Sequence, residues 1–134
     1  MPQKQGNSSD AGGRLDGSLG TALAAGNVAI GAGWGGTATV AIRAGSTDQR
    51  GIITITASAS TPAQATATVT ITFADGAYAS VPPYYSVILL SSDNAVAEPN
   101  SFQTTACTAT ALSWTYGTLP VATKVYTFAY CVIA

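Results

Sequence analysis

The stretch Ala65-Thr66-Ala67-Thr68-Val69-Thr70-Ile71-Thr72-Phe73 decides the fold class of this chain. It places an apolar residue and a threonine in strict alternation. Successive side chains of a β-strand point to opposite faces, so this alternation predicts a strand that is buried on one side only. Strands of that kind are typical of antiparallel sheets.

Further strand-like runs lie on both sides of this stretch. They cover residues 37–43, 53–57, 87–90, 103–110, 112–116 and 124–133. Glycine, proline, asparagine and aspartate, which are typical of turns, separate the runs. The run at 87–90 is continuously apolar, which predicts a strand buried on both faces. Together the runs predict an all-β chain, an antiparallel and jelly-roll-like β-sandwich of seven to eight strands over residues 37–134.

The last run, from Lys124 to Ile133, is apolar on both faces. Tyr126, Phe128 and Tyr130 share one of these faces. An apolar face needs cover, so the strand is either central in the sandwich or meets another subunit with one face. We therefore take Tyr126, Phe128 and Tyr130 as candidate interface residues.

The N-terminal segment, residues 1–36, holds ten of the 14 glycines. Glycine makes a segment costly to order by itself, which predicts an extended arm that orders on a neighbour. A flexible tail without function is the alternative. Leu15, Leu19 and Leu23 recur every four residues and are candidate docking anchors. Trp34 lies between glycines, where its ring would fill an apolar pocket between arm and domain or stack on a sugar.

Charged residues make up only 8% of the chain, against about 25% in an ordinary soluble domain. The net charge of −1 gives no basis for binding nucleic acid or an anionic membrane. No apolar run is long enough to span a membrane, and the first ten residues lack the apolar segment of an export signal. A surface of Thr, Ser, Asn and Gln is typical of a chain that other subunits cover. Composition therefore favours an assembly component.

Catalytic and metal-binding chemistry finds little support in the sequence. The chain has no histidine, the commonest general base and metal ligand. Its acidic residues are scattered among turns, and no phosphate-binding loop motif occurs. We therefore expect no catalytic residue, no metal and no cofactor.

Two charged residues and two cysteines leave alternatives open. In the turn before residue 52, either Asp48 fixes the turn while Arg50 bonds backbone or a neighbouring chain, or both charges are solvated. We keep Asp48 and Arg50 as candidate interface residues. Cys107 and Cys131 are expected to be two small buried side chains, with a disulfide as the alternative.

The turn and strand at residues 44–56 resemble a motif of tailed-phage structural proteins, in which Gly-Ser-Thr-Asp-x-Arg-Gly leads into a Thr-rich strand. The strand at 65–73 and the closing segments 114–116 and 126–130 share the likeness, which covers about residues 37–134. The group resembled comprises β-sandwich domains of phage fibre ends and head-decoration proteins. This resemblance implies a trimer located in the virion, assembled in the host cytoplasm, and it transfers no catalytic residue.

The leading hypothesis is a capsid decoration or cement protein that binds the major capsid protein or another virion protein. A short arm before a compact head suits such a role better than the long shaft of a tail fibre. The alternative is a fibre tip, or a receptor- or carbohydrate-binding module, with Trp34, Tyr84, Tyr85 or Trp114 as stacking platforms. A bacterial surface or pilus-like subunit is a further alternative, and an enzyme is the weakest.

Overall fold

Two four-stranded antiparallel sheets pack face to face as a β-sandwich. The structure, a computed structural model, describes residues 20–60, 67–74, 76–92, 102–117 and 119–133. The strands are β1 (Val28–Ile30), β2 (Thr39–Ile42), β3 (Arg50–Thr56), β4 (Ala67–Thr72), β5 (Tyr84–Ser92), β6 (Phe102–Cys107), β7 (Ala111–Tyr116) and β8 (Val125–Ile133). Single turns of 3₁₀ helix lie at Ala25–Asn27 and Ala32–Trp34.

The chain changes sheets at most of its connections. One sheet has the order β1-β4-β7-β6 and the other has the order β2-β3-β8-β5. Only the β2–β3 and β6–β7 connections join neighbours within a sheet. The predicted fold class, an antiparallel β-sandwich of seven to eight strands, is confirmed, and eight strands are observed. The first of them, β1, lies outside the predicted range 37–134.

The alternation that predicted the fold becomes the two sides of β4. Val69 and Ile71 are fully buried, whereas Thr70 is half-buried and Thr72 is exposed. Val69 lies opposite Trp114 of β7 in the antiparallel register. The apolar side of the strand therefore forms the core, and the threonines form the outer surface of the sheet.

Aromatic rings fill the centre of the sandwich. Trp34 stacks on Tyr116 with ring centroids 5.7 Å apart and meets the edge of Tyr126 at 5.3 Å. Trp114 lies 5.5 Å from Phe128, between the same layers. Large rings at such distances combine extensive burial with favourable edge and stacking contacts.

The arm predicted for residues 1–36 is corrected over its described part, residues 20–36. Here β1 pairs with β4, with Val28 opposite Ile71, so this segment supplies an edge strand of the sandwich. Trp34 is fully buried and its Nε1 donates to the carbonyl oxygen of Thr68 at 3.0 Å. Burial of this ring and backbone pairing offset the entropic cost of the glycines.

Strand β8 lies between β3 and β5, so it is central in its sheet. Tyr126 and Phe128 are 0% exposed and Tyr130 is 4% exposed. Their rings face the core of their own chain, because β8 turns this side toward the other sheet. Their predicted role as interface residues is therefore corrected: they are core residues.

Candidate interaction surface

The outward face of β5 and β8 combines exposure with apolar character. Tyr84 is 69% exposed, Ile88 54% and Ile133 57%. Tyr84 lies opposite Ile133 in the register, and Ile88 lies opposite Ala129. We call the outward surface formed by Tyr84, Ser86, Ile88, Ala129, Cys131 and Ile133 the β5–β8 face.

Charge is almost absent from the sheet that carries this face. Its four strands contain a single charged residue, Arg50 of β3, which lies opposite Cys131 of β8. Away from β5, the same surface continues through Ile52 to the threonine pair Thr54 and Thr127, whose hydroxyl oxygens are 3.2 Å apart. Exposed apolar side chains grouped on one face make the β5–β8 face a candidate interaction surface.

Strand β5 is also the edge of its sheet. It is nine residues long, and the segment from 76 to 92 contains no charged residue. Proteins protect edge strands with charges, prolines or bulges. Here Pro82 and Pro83 precede the strand, and a bulge lies between Leu89 and Ser91, but charge protection is missing.

A shallow cavity of about 150 Å³ lies on the β5–β8 face, lined by Tyr84, Tyr85, Ser86, Cys131 and Ile133. Pockets that enclose drug-sized ligands are larger, about 300–1,000 Å³. The larger cavity of about 580 Å³ lies between residues 20–25 and β2, and Arg43 is the only charged residue that lines it. The β5–β8 face therefore offers a contact surface and a ring for stacking rather than an enclosed pocket.

The outer face of the other sheet differs in side-chain size. It presents Thr68, Thr70 and Thr72 from β4, with Ser113 and Thr115 from β7 opposite them. Its strands contain no charged residue either. This face carries hydroxyl groups where the β5–β8 face carries large apolar side chains, so the two faces provide a matched comparison.

The turn before β3 holds the N-terminal segment through Asp48. This carboxylate is 2% exposed, and its Oδ1 accepts a hydrogen bond from the backbone N–H of Thr21 at 2.9 Å. The N–H of Asp48 donates in return to the carbonyl oxygen of Thr21 at 2.9 Å. Gly20 has a positive φ of 77°, and a side chain there would collide with the carboxylate. Asp48 is thus a buried structural residue, which excludes the solvated alternative for it.

The Tyr130 side chain binds the same turn through a hydrogen bond. Its hydroxyl donates to the carbonyl oxygen of Thr47. Burial, and secondarily the Asp48 carboxylate, raise the pKa of Tyr130 above its usual value. Gly51 is required beside this hydroxyl, because a Cβ there would lie 2.5 Å from the Cβ of Ser46 and 2.7 Å from the Tyr130 oxygen.

The remaining interface candidates within the described residues differ in burial. Leu23 is 8% exposed and packs in the core, where its N–H donates to the carbonyl oxygen of Ser46 at 3.0 Å. Trp34 is buried, so it belongs to the core as well. Arg50 is half-buried on the outer face of β3, where its interface role stays a prediction. Leu15 and Leu19 lie outside the described residues.

The candidate stacking platforms separate into two groups. Trp34 is 0% exposed and Trp114 is 2% exposed, so neither ring can stack on a ligand. Tyr84 and Tyr85 are exposed and belong to opposite sides of β5. Only the tyrosine pair therefore remains available for the carbohydrate-binding alternative.

The cysteines depart from the sequence prediction. Both are free thiols: Cys107 is half-buried on β6, and Cys131 is exposed on β8 in the other sheet. Burial raises the pKa of the Cys107 thiol. The expectation of two buried side chains is wrong for Cys131, because it lies on the side of β8 that faces away from the core.

The residues that sequence reasoning missed are Ile88 and Ile133. The apolar run at 87–90 was expected to be buried on both faces, but Val87 is buried whereas Ile88 and Leu90 are about half exposed. Pro82 and Pro83 were the available signal, since proline directly before a strand is typical of a sheet edge.

Neither a metal site nor a membrane helix is evident in the part of the chain that the structure describes. No three Cys, Asp or Glu residues gather there as potential metal ligands. No helix in these segments is long and apolar enough to cross a membrane. Comparison of the chain with protein-family models, with curated proteins and with solved structures finds no match.

Proposed function

We propose that the chain is a structural protein of a virus particle, a trimeric decoration or cement protein that binds the shell. The observation that carries this proposal is the β5–β8 face, where Tyr84, Ile88 and Ile133 are exposed on a sheet with a single charged residue. An exposed apolar surface with little charge suits a chain that is covered by neighbours in its working state. The resemblance of the turn at 45–51 to phage structural proteins points the same way.

The proposed mechanism is mass action by many shallow contacts. Burial of apolar surface stabilises an assembly by about 25 cal/mol per Å². A protein that binds only the assembled shell stabilises that state, and repetition around the shell multiplies a weak contact. In this proposal the partner is the major capsid protein or another virion protein, and the particle is assembled in the host cytoplasm.

The test is to remove the gene for this chain from the virus and to heat the resulting particles. Particles that lack the chain should release their genome at a lower temperature than intact particles. Addition of purified protein should restore the release temperature, which controls for indirect effects of the deletion. Equal release temperatures with and without the chain would refute the cement role.

A second candidate function is a fibre tip or carbohydrate-binding module, favoured by one observation. Tyr84 exposes its ring beside the shallow cavity, and an exposed aromatic ring can stack on the apolar face of a sugar. Under this alternative, particles that lack the chain keep their heat resistance and lose adsorption to the host. Tyr84→Ala would then abolish adsorption, whereas Thr72→Ala, at an exposed position on the outer face of the other sheet, serves as its control.

A further inference from the structure

We infer that the β5–β8 face is the surface through which copies of this chain associate with one another. The inference names the partner of this face and rests on the proposed function for its biological setting. Three copies would turn their β5–β8 faces toward a common axis and bury Tyr84, Ile88 and Ile133 against equivalent residues. The edge strand β5 would be covered in the same step.

The absence of charge on the β5–β8 face argues for a second copy as the partner. An ionised side chain placed against Ile88 and Ile133 would lose its hydration without gaining a counter-charge. The partner surface must therefore be apolar and uncharged as well. The β5–β8 face itself has that character: from Tyr84 to Ser92, and from Val125 to Ile133, neither strand contains a charged residue.

The available area fits a reversible association. Strands β5 and β8 have nine residues each, and together they form a face of about 30 Å by 10 Å, or about 300 Å² in projection. Protruding side chains increase the accessible area above this value. A standard interface buries about 800 Å² per partner, and smaller ones belong to transient complexes. The face therefore supports an oligomer that dissociates on dilution.

The position of Cys131 provides a direct reporter of this association. Its thiol is exposed in the single chain and lies on β8 opposite Ser86. Contact between copies through the β5–β8 face would cover it. Cys107 lies on the other sheet, so Cys107→Ser leaves one reactive thiol without altering the face.

The experiment combines sedimentation with thiol labelling on the full chain. At about 1–100 μM, a concentration range in which weak to standard interfaces form, we expect the wild type to be oligomeric. We expect Ile88→Glu to be monomeric at the same concentrations. Thr72→Glu, an exposed outward position on β4, is the matched control and should associate as the wild type does. Circular dichroism and thermal melting show whether each variant is folded.

Labelling covers the case in which Ile88→Glu fails to fold. In the Cys107→Ser background, the reaction of Cys131 with a maleimide should slow about tenfold as the oligomer forms. The reason is that the labelling rate is proportional to the fraction of dissociated chains. A wild type that stays monomeric with a fully reactive Cys131 overturns the inference. So does an oligomer that leaves Cys131 reactive or survives in folded Ile88→Glu.

The outcomes separate this inference from the proposed function. Association through the face, followed by unchanged heat resistance of particles that lack the chain, refutes the cement role and leaves the inference standing. A monomer that nevertheless raises the heat resistance of particles refutes the inference and the proposed trimer, and it leaves the cement role standing. A dimer that protects Cys131 supports the face and contradicts the proposed trimer.

Discussion

A hydroxyl and a carboxylate are buried together in the turn before β3. The Tyr130 hydroxyl donates to the carbonyl oxygen of Thr47, and the Asp48 carboxylate accepts from Thr21. A buried polar group that loses its partner costs about 1–3 kcal/mol. This small network therefore links the N-terminal segment, the turn and β8 in a way that a single substitution can test.

We expect Tyr130→Phe to lower the free energy of unfolding at pH 7 by about 1–3 kcal/mol, because the Thr47 carbonyl loses its donor. Denaturant unfolding followed by circular dichroism measures the change. The wild type should also lose stability as the pH rises above about 10, the pKa of an unfolded tyrosine. A raised pKa in the folded state means that the unfolded chain releases its proton first, so alkali favours unfolding.

The pH series supplies the control for this prediction. One tyrosine with a raised pKa contributes a slope of up to about 1.4 kcal/mol per pH unit between its unfolded and folded pKa values. Tyr130→Phe should remove that contribution and flatten the alkaline slope. Identical slopes for the two proteins above pH 10 would contradict the assigned role of burial at Tyr130.

Single residues also show where sequence reasoning stopped. The flanking glycines of Trp34 left two roles open, a pocket-filling ring and a sugar platform. The choice depends on both sheets, because Tyr116 of β7 and Tyr126 of β8 pack against the indole. Such long-range contacts leave no local periodicity, so the sequence could name the residue and could not place it.

At the scale of elements, alternation predicted correctly which side of a strand is buried. It did not predict whether the opposite side is exposed. The inner residues of β4 and β8 are buried as their patterns indicate. The continuous apolar run in β5 failed as a guide, because a strand at a sheet edge can carry apolar residues that a neighbouring chain covers. The period of a sequence shows which residues share a face of a strand, whereas the exposure of the second face depends on what packs against it.

The segment around β1 lacks a strong period, so its sequence predicts an arm and not a strand. We expect deletion of residues 1–19 to leave a cooperatively melting sandwich, because the eight strands span residues 28–133 and the core residues span 23–132. Deletion of residues 1–33 removes β1 and buried Leu23, which exposes one edge of β4. Its melting temperature should fall by at least about 4–8 °C, the shift that about 1 kcal/mol produces in a domain of roughly this size.

Thermal melting of both truncations beside the full chain tests this boundary. Equal melting temperatures for the two truncations would show that β1 and Leu23 contribute nothing, and would restore the domain boundary at residue 36. A chain without residues 1–19 that fails to fold would place essential contacts in that segment.

For the whole molecule, scarcity of charge governs how copies should associate. Five basic and six acidic residues give a net charge of −1, so long-range repulsion between copies is weak. Salt screens charge pairs and leaves apolar burial unaffected, while sulfate strengthens burial. We therefore expect the dissociation constant of the oligomer to change less than about twofold between about 0.05 and 0.5 M sodium chloride, and to fall in sodium sulfate. Sedimentation across both salts measures it, and a tenfold weakening in sodium chloride would assign the contact to charges such as Arg50 instead of the apolar face.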